Sequence, residues 1–178
     1  MDTLRGFGHL GFGSRIKRLS DYMMRETQLI YDHYQIDFDP YLFPVYKTIS
    51  NKDGVTNTEL VEQLKFTQPA ITQFVNKLIK KELVTQAPDA IDKRKKIIKL
   101  TAKGNEILKV LKPIWFAIDK TINEITQFKS ESFLEHINHL EDTFKQTHFS
   151  TLILKNTYLS MNTTVTVSYT HLTLPTKA

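Results

Sequence analysis

Apolar side chains recur at helical spacing over most of this chain, and the first such stretch lies between residues 11 and 34. The apolar positions in this stretch are Ile16, Leu19, Met23, Leu29, Ile30 and Tyr34. This spacing predicts an amphipathic helix, because residues three and four apart share one helical face. The helix is too long to bury its stripe against one small domain, so we expect a second subunit to cover part of it. The glycine-rich residues 1–10 are expected to be loosely held.

A second helix is predicted near residue 43. Asp39 can cap a helix that has Pro40 at its first position, where the fixed backbone angle of proline is suitable. Pro44 complicates this start, because an interior proline loses a hydrogen bond and clashes with the preceding turn. We therefore expect the regular helix to run from about residue 43 to Ser50.

Two further helices, separated by a tight turn, follow a polar loop. Thr56 is followed three residues later by Glu59, which is the pattern of a capping box and starts a helix over residues 57–65. Thr67 can cap the next helix, which begins at Gln68. The order helix, short turn, helix predicts a helix-turn-helix motif.

The second helix of this motif has two chemically distinct faces. Its inward face carries the apolar residues Ala70, Ile71, Phe74, Val75, Leu78 and Ile79. Its outward face carries Gln68, Pro69, Thr72, Gln73, Asn76 and Lys80. Amides and hydroxyls can donate and accept hydrogen bonds at base edges in a major groove, and cations suit phosphates. The alternative is an amphipathic helix whose polar face meets only water.

A charged hairpin is predicted after the helix-turn-helix motif. Residues 83–86 and 95–100 are rich in β-prone side chains and are separated by a polar loop. An arginine on such a protruding ribbon, here Arg94, can enter a narrow minor groove. Asp92 lies two residues earlier and can hold the guanidinium in place. The alternative is a solvated hairpin end whose surface ion pair contributes little.

The chain after the hairpin predicts two long helices and a tail. The first helix covers about residues 101–127, with a kink at Pro113, and the second covers about residues 130–146. Long amphipathic helices on both sides of a compact motif favour an intermolecular helical dimer. Residues 157–178 contain no acid and no helical period. We expect them to form an unstructured tail that is partly an artefact of library construction.

Basic charge is concentrated in the region of the helix-turn-helix motif and the hairpin. The 178-residue chain carries a formal charge of +5. Ten basic and three acidic residues lie between Lys65 and Lys103, so this basic segment carries +7 and the remainder −2. A local positive field on a nearly neutral body indicates a polyanion partner, although a lysine-rich face is also commonly just solvated.

The composition also excludes several classes of protein. No apolar run approaches the roughly 18 residues of a membrane helix, and the N-terminus lacks the apolar core of a signal peptide. The absence of cysteine excludes disulfides and thiolate chemistry and suits a cytoplasmic location. His136 and His139 share a helical face but lack a convincing third ligand. We therefore predict no metal, no cofactor and no catalytic residue.

Taken together, the motifs resemble those of the MarR family of winged-helix transcriptional regulators, over roughly residues 11–146. The resemblance rests on VTNTELV at 55–61, TQPAIT at 67–72, Leu83-Val84, DAIDKR at 89–94 and IKLTAKG at 98–104. It implies a mainly α fold with a small β-wing, which is a winged helix-turn-helix, dimeric through its N- and C-terminal helices. Residues 1–156 would form one domain, with dimerisation helices at 11–34 and 101–146 and a DNA-binding lobe at 40–100.

The resemblance also implies a function. The protein would be a sequence-specific regulator of double-stranded DNA, a ligand-responsive repressor that acts as a homodimer on a pseudo-palindromic operator. The major-groove residues would be Thr67, Gln68, Pro69, Thr72, Gln73 and Asn76, with Lys80 at the basic end of the same helix. On the wing, Arg94 would enter the minor groove and Asp92 would orient it. Lys93 and Lys95 flank this arginine. The effector would be a small molecule that the resemblance does not identify.

Two other functions remain open from the sequence. Phe43-Pro44 and the N-terminal residues resemble a sub-branch in which this domain precedes a GNAT-type acetyltransferase. The alternative function is therefore the regulatory or dimerisation module of a truncated acetyltransferase. The other is a winged helix that makes only protein contacts, which a failure of the basic hairpin to bind duplex DNA would favour.

Overall fold

The computed structural model describes residues 2–128, 131–154 and 156. The predicted tail over residues 157–178 lies outside the described residues, so its assignment stays a prediction. The chain divides into two compact units, Met1–Phe116 and Ala117–Ala178. The first unit contains the complete helix-turn-helix motif and the hairpin.

The described fold is mainly helical with a small antiparallel wing, as the sequence predicts. In chain order its elements are α1 (Thr3–Gly6), α2 (Phe12–His33), α3 (Phe43–Ser50), α4 (Asn57–Leu64), α5 (Gln68–Lys80), β1 (Val84–Pro88), β2 (Lys96–Leu100), α6 (Ala102–Thr126), β3 (Gln127–Phe128), β4 (Glu131–Ser132) and α7 (Phe133–Gln146). Short 3-10 helices lie at Gly8–Gly11 and Pro40–Leu42. Pro113 lies inside α6 without ending it.

Residues 3–11 form α1 and a 3-10 helix, although the sequence predicted residues 1–10 to be loosely held. Asp2 caps α1, because its carboxylate accepts a hydrogen bond from the backbone N–H of Leu4 at 3.1 Å. The same carboxylate accepts two hydrogen bonds from Arg18 on α2, at 3.1 and 2.7 Å. The sequence hides this bidentate pair because its two members are 16 residues apart.

One hydrophobic core holds the helix-turn-helix motif and the wing of the first unit. Its buried side chains are Tyr31, Ile36, Phe38, Leu42, Val45, Tyr46, Ile49, Val55, Leu60, Ile71, Val75, Leu78, Leu83, Val84, Ile98, Leu108 and Leu111. They come from α2, the loop and 3-10 helix that follow it, α3, α4, α5, both wing strands, the first half of α6, and the residues Val55 and Leu83 that precede α4 and β1. Burial of their apolar area is the main force that fixes the motif in place.

Aromatic contacts anchor the loop between α2 and α3. The ring of Phe38 lies 5.8 Å from that of Tyr31 and 5.0 Å from that of Tyr46. The indole Nε1 of Trp115 donates to the Tyr31 hydroxyl at 2.9 Å. The Tyr46 hydroxyl donates to the carbonyl of Gly104, and burial raises the pKa of Tyr46 to about 12. The phenol therefore stays protonated and remains a donor at neutral pH.

The junction between β2 and α6 fixes the wing to the helix-turn-helix motif. The Thr101 hydroxyl donates to the carbonyl of Glu82 at 2.6 Å and accepts from the N–H of Gly104 at 2.9 Å. A Cβ atom on residue 104 would lie 2.0 Å from the carbonyl oxygen of Leu83. Only glycine permits this approach, which gives a physical reason for the LTAKG sequence.

The Ala117–Ala178 unit contains the two-residue strands β3 and β4 and the helix α7. The sequence predicted a helix from about residue 130. In the structure α7 begins at Phe133, after residues 131–132 pair with residues 127–128. The apolar face of α7 is partly exposed, with Phe133, Leu134 and Phe144 at 43%, 56% and 39%.

Candidate nucleic-acid interface

α5 is fixed by a capped start and a buried inner face. The Thr67 hydroxyl oxygen accepts a hydrogen bond from the N–H of Ala70 at 3.4 Å, as the sequence predicts. Ile71, Val75 and Leu78 are at most 1% exposed and face α3, α4 and β1. This packing sets the rotation of α5 about its axis. The opposite face is therefore held toward solvent by the core.

The outer face of α5 brings most of the predicted major-groove residues onto one surface. A shallow depression there is lined by Gln68, Pro69, Thr72, Gln73, Asn76, Lys77 and Lys80. Gln73 and Asn76 are exposed. The Thr72 hydroxyl donates to the carbonyl of Gln68 at 2.9 Å. Thr67 does not line this depression, because its hydroxyl caps the helix.

Two acids in the loop before α3 pair with lysines at the basic end of α5. The Nζ of Lys77 lies 3.5 Å from Asp39, and the Nζ of Lys81 lies 2.5 Å from Asp37. Lys80 is exposed, and no described acid forms an ion pair with it. Lys80 is thus the cation of the three that is free to meet a phosphate. Neither acid could be predicted from the sequence, because they lie 38 and 44 residues from their partners.

The wing is a two-stranded sheet whose base is attached to the core. Its outermost pair joins Pro88 to Lys96. Near its base Ile98 is fully buried and forms a further β-bridge with Val55, just before α4. Residues 89–95, here called the wing tip, extend beyond the sheet.

The wing tip is organised by Asp89. Its carboxylate accepts hydrogen bonds from the backbone N–H groups of Asp92 at 2.8 Å and Ile91 at 2.9 Å. These two donors, the Asp92 N–H first, lower the pKa of Asp89 because they favour the charged carboxylate. The N–H of Asp89 also donates to the carbonyl of Lys95 at 2.9 Å. Asp89 was not among the predicted site residues, although aspartate is favoured where a side chain closes a turn.

Arg94 projects from the wing tip with its side chain 94% exposed. Its Nε lies 3.3 Å from Oδ1 of Asp92, and its backbone N–H donates to the same oxygen at 3.2 Å. The contact expected between these side chains is therefore present. Such an exposed pair contributes little to stability, so its effect is mainly on the direction of the arginine. Lys93 and Lys95 are exposed on either side of it.

A cleft of ≈ 450 Å³ lies between the start of α4 and the wing. It is lined by Thr56, Asn57, Thr58, Glu59, Glu62, Gln86, Arg94, Lys95 and Lys96. The Glu59 carboxylate accepts from the N–H of Thr56 at 2.7 Å and completes the predicted capping box. This bond is the first cause of a lowered pKa for Glu59, and Lys95 adds to the shift. This cleft could not be predicted from the sequence, because α4 and the wing meet only in the folded lobe.

Comparison with known proteins identifies the class of this fold. Residues 44–96 match the sequence model of the MarR family. The matched segment includes α4, α5, β1 and the wing tip, which carry the candidate interface. The chain has a winged helix-turn-helix fold, and in this segment its sequence is similar to the MarR family.

Individual relatives are similar at low identity. The transcriptional regulator HosA of Escherichia coli O157:H7 is 26% identical over 102 residues, which are 57% of this chain and 76% of HosA. The S. aureus MepR–DNA complex superimposes with a TM-score of 0.61 at 18% identity, covering 76% of this chain and 95% of MepR. The PcaV transcriptional regulator of Streptomyces coelicolor, in complex with its natural ligand, gives 0.59 at 17% identity, covering 73% and 91%. The two structural likenesses show the fold.

Two further findings concern other kinds of site. Among the described residues, none of the helices combines the length and apolarity that a membrane span requires. The same residues contain no group of three or more histidine, aspartate or glutamate side chains placed to hold a metal ion.

Proposed function

We propose that the protein is a transcriptional regulator that binds double-stranded DNA in a sequence-specific manner. The observation that carries the proposal is the outer face of α5. A rigidly packed helix there presents uncharged hydrogen-bonding side chains, and an exposed arginine stands on a wing of the same compact unit. The basic segment between Lys65 and Lys103 supplies an attraction for phosphates that does not depend on sequence.

In this proposal α5 enters the major groove and the wing reaches a neighbouring minor groove. Gln68, Pro69, Thr72, Gln73 and Asn76 would face base edges, while Thr67 would act through the capped helix start. Lys80, Lys93 and Lys95 would meet phosphates. Arg94 would enter the minor groove, with Asp92 directing its guanidinium. HosA and MepR support this use of the fold, since the first is named a transcriptional regulator and the second was solved bound to DNA.

A homodimer is part of the proposal. On α2 the apolar residues Phe12, Ile16, Leu19, Tyr22, Leu29 and Ile30 are between 38% and 56% exposed. Monomers rarely leave so continuous an apolar face in water, so a second copy is the occupant that we propose. Such a dimer would read a pseudo-palindromic operator whose half-sites lie about 10 bp apart.

A small-molecule effector and repression are the remaining parts of the proposal. PcaV supports an effector, because that regulator was solved with its natural ligand. The chemical identity of an effector for this chain is not specified by its residues. The proposed regulator would work in the cytoplasm, and no catalytic residue is assigned to it. No observation on the described residues favours the acetyltransferase module as a second function.

Equilibrium binding to labelled duplex DNA tests the proposal. The purified chain should bind a duplex recovered by binding-site selection far more tightly than a scrambled duplex at physiological salt. Arg94→Ala should weaken binding, whereas Lys109→Ala should not, because Lys109 is an exposed lysine on α6 outside the wing and α5. Equal affinity for both duplexes, or equal effects of the two substitutions, would contradict the proposed interface.

A further inference from the structure

The chemistry of the outer face of α5 narrows the base pairs that it can read. Residues 67–76 contain no charged side chain. Within the proposed DNA-binding function, on which this inference rests, we propose that α5 reads adenine–thymine pairs. Gln73 and Asn76 recognise adenine edges, and Thr72 supplies an acceptor and a methyl group.

The side chains that recognise guanine and cytosine best are missing from residues 67–76 of this face. Guanine is most often recognised by arginine or lysine bonded to its O6 and N7 atoms, and cytosine by a carboxylate that accepts from its N4 amino group. The first cation on α5 is Lys77, which lies 3.5 Å from Asp39. Lys80 follows at the C-terminal end of the helix, where the chain approaches phosphates in the proposed arrangement. Neither lysine lies on the segment 67–76.

The two amides on the face are free and share one direction. Gln73 and Asn76 are both exposed, and neither side chain forms a hydrogen bond to another described residue. Residues three apart lie on the same helical face and are separated by about 4.5 Å along the axis. This separation is close to the ~3.4 Å step between base pairs, so the two amides can meet neighbouring pairs. An amide carries both a donor and an acceptor, which matches adenine N7 and N6.

Thr72 adds a preference of the same kind. Its hydroxyl proton is committed to the carbonyl of Gln68 at 2.9 Å. The oxygen can therefore only accept a further hydrogen bond, for example from an adenine amino group. The threonine methyl can contact the methyl group of thymine, which guanine–cytosine pairs lack. The methyl contact favours an adenine–thymine pair, and the accepted hydrogen bond is compatible with that pair.

The wing supports the proposed preference for adenine–thymine pairs through the minor groove. A minor groove is narrowest over runs of adenine and thymine, and its negative potential there attracts an arginine. Arg94 is 94% exposed and is directed by Asp92. Adenine–thymine pairs beneath α5 and beneath the wing would therefore both be favoured. The two preferences act through different contacts, so they can be separated by substitution.

Binding-site selection from a random duplex pool tests this inference with the full chain. The wild-type protein should enrich sites in which adenine–thymine pairs occupy the most conserved positions of each half-site. Gln73→Ala and Asn76→Ala should each lose the preference at one position, and the two positions should be neighbours. Gln28→Ala, which alters a half-buried glutamine on α2 that donates to Asp32 at 2.8 Å, is the control and should return the wild-type site.

A base analogue then tests the contact atom directly. Replacing the predicted adenine with 7-deazaadenine removes the N7 acceptor and should weaken wild-type binding about tenfold. The same analogue should have little effect on Asn76→Ala or Gln73→Ala, whichever variant has lost the preference at that position.

The outcomes separate this inference from the function on which it rests. Selection of guanine–cytosine pairs at the conserved positions would overturn the inference and leave a DNA-binding regulator in place. Unchanged sites for both alanine variants would do the same. Failure of the wild-type chain to enrich any duplex would overturn the proposed function and the inference together.

Discussion

α5 and the wing tip carry the two halves of the candidate interface, but they are held by different forces. α5 has a buried inner face with Ile71 and Leu78 fully enclosed by the core. The wing tip has no buried apolar side chain among residues 89–95 and is held by hydrogen bonds from backbone groups to Asp89. The helix is therefore as stable as the core, while the wing tip can loosen without unfolding the lobe.

This difference suits two ways of reading DNA. Base edges in a major groove demand fixed hydrogen-bonding geometry, which a helix rotated by core packing provides. A minor groove varies in width with sequence, and an exposed arginine on a short loop can follow that variation. Substitutions on the buried face of α5 should therefore change the free energy of unfolding, and substitutions on the wing tip should change the affinity for DNA.

The largest effect is expected on the buried face of α5. Leu78→Ala should lower the free energy of unfolding by about 2–5 kcal/mol, because it removes buried methyl groups and leaves a cavity. Urea denaturation followed by circular dichroism measures the change. Asn76→Ala, on the exposed face of the same helix, should remain within about 0.5 kcal/mol of the wild type. Equal losses for the two variants would mean that the core does not hold α5.

The second largest effect is expected on the affinity for DNA when the wing is changed. Arg94→Ala should weaken binding to the operator several-fold or more, because the side chain that reaches the minor groove is lost. Its free energy of unfolding should stay near the wild-type value, since the side chain is exposed. Fluorescence anisotropy gives the affinity. Unchanged affinity at physiological salt would remove the wing from the interface.

Asp89→Ala should have a smaller effect on binding and none on the core. Arg94 would remain present but would be less well positioned, because the wing tip loses its two carboxylate hydrogen bonds. The affinity for the operator should therefore fall less than it does for Arg94→Ala. A larger fall than for Arg94→Ala would show that Asp89 does more than order the loop.

The lowered pKa of Asp89 gives a separate test by pH. A carboxyl whose pKa is lowered in the folded state stabilises the folded wing tip at pH values above its ordinary pKa of 3.8. That stabilisation is lost as the pH falls through the lower folded value. The amide resonances of Ile91 and Asp92 should shift with a midpoint below 3.8. A midpoint at or above 3.8 would contradict the hydrogen bonds seen at Asp89.

The smallest effect concerns the lysines at the end of α5. Lys80→Ala should reduce the slope of log affinity against log salt by about 1, because one phosphate contact is lost. Lys81→Ala should change the slope less, since Lys81 already pairs with Asp37. Salt titrations of the two variants against the wild type make the comparison. A larger change in slope for Lys81→Ala than for Lys80→Ala would contradict the assignment of Lys80 as the lysine that contacts a phosphate.

Local chemistry explains why much of this fold could be predicted from the sequence. The capping box of Thr56 and Glu59 and the cap at Thr67 each lie within a few residues, so their patterns are visible in the chain. Helical spacing of apolar residues gave the inner face of α5. The remaining positions of α5 were predicted to form the outer face, because side chains that do not pack in the core face solvent.

Contacts between distant residues explain what could not be predicted. The ion pairs of Lys77 and Lys81 join positions 38 and 44 residues apart, and charge alone does not select their partners. The pair between Asp2 and Arg18 likewise joins residues that are 16 positions apart. Asp89 was visible in the sequence, but its role became evident only with the geometry of the wing tip.

The most direct test of DNA recognition by α5 and the wing is duplex affinity measured across a series of salt concentrations. We compare a selected operator with a scrambled duplex of equal length. Log affinity should fall linearly with log salt for both duplexes, and the operator should be bound at least about 10³-fold more tightly at physiological salt. Equal affinity for the two duplexes at every salt concentration would contradict sequence-specific recognition, and an absence of binding would contradict the interface itself.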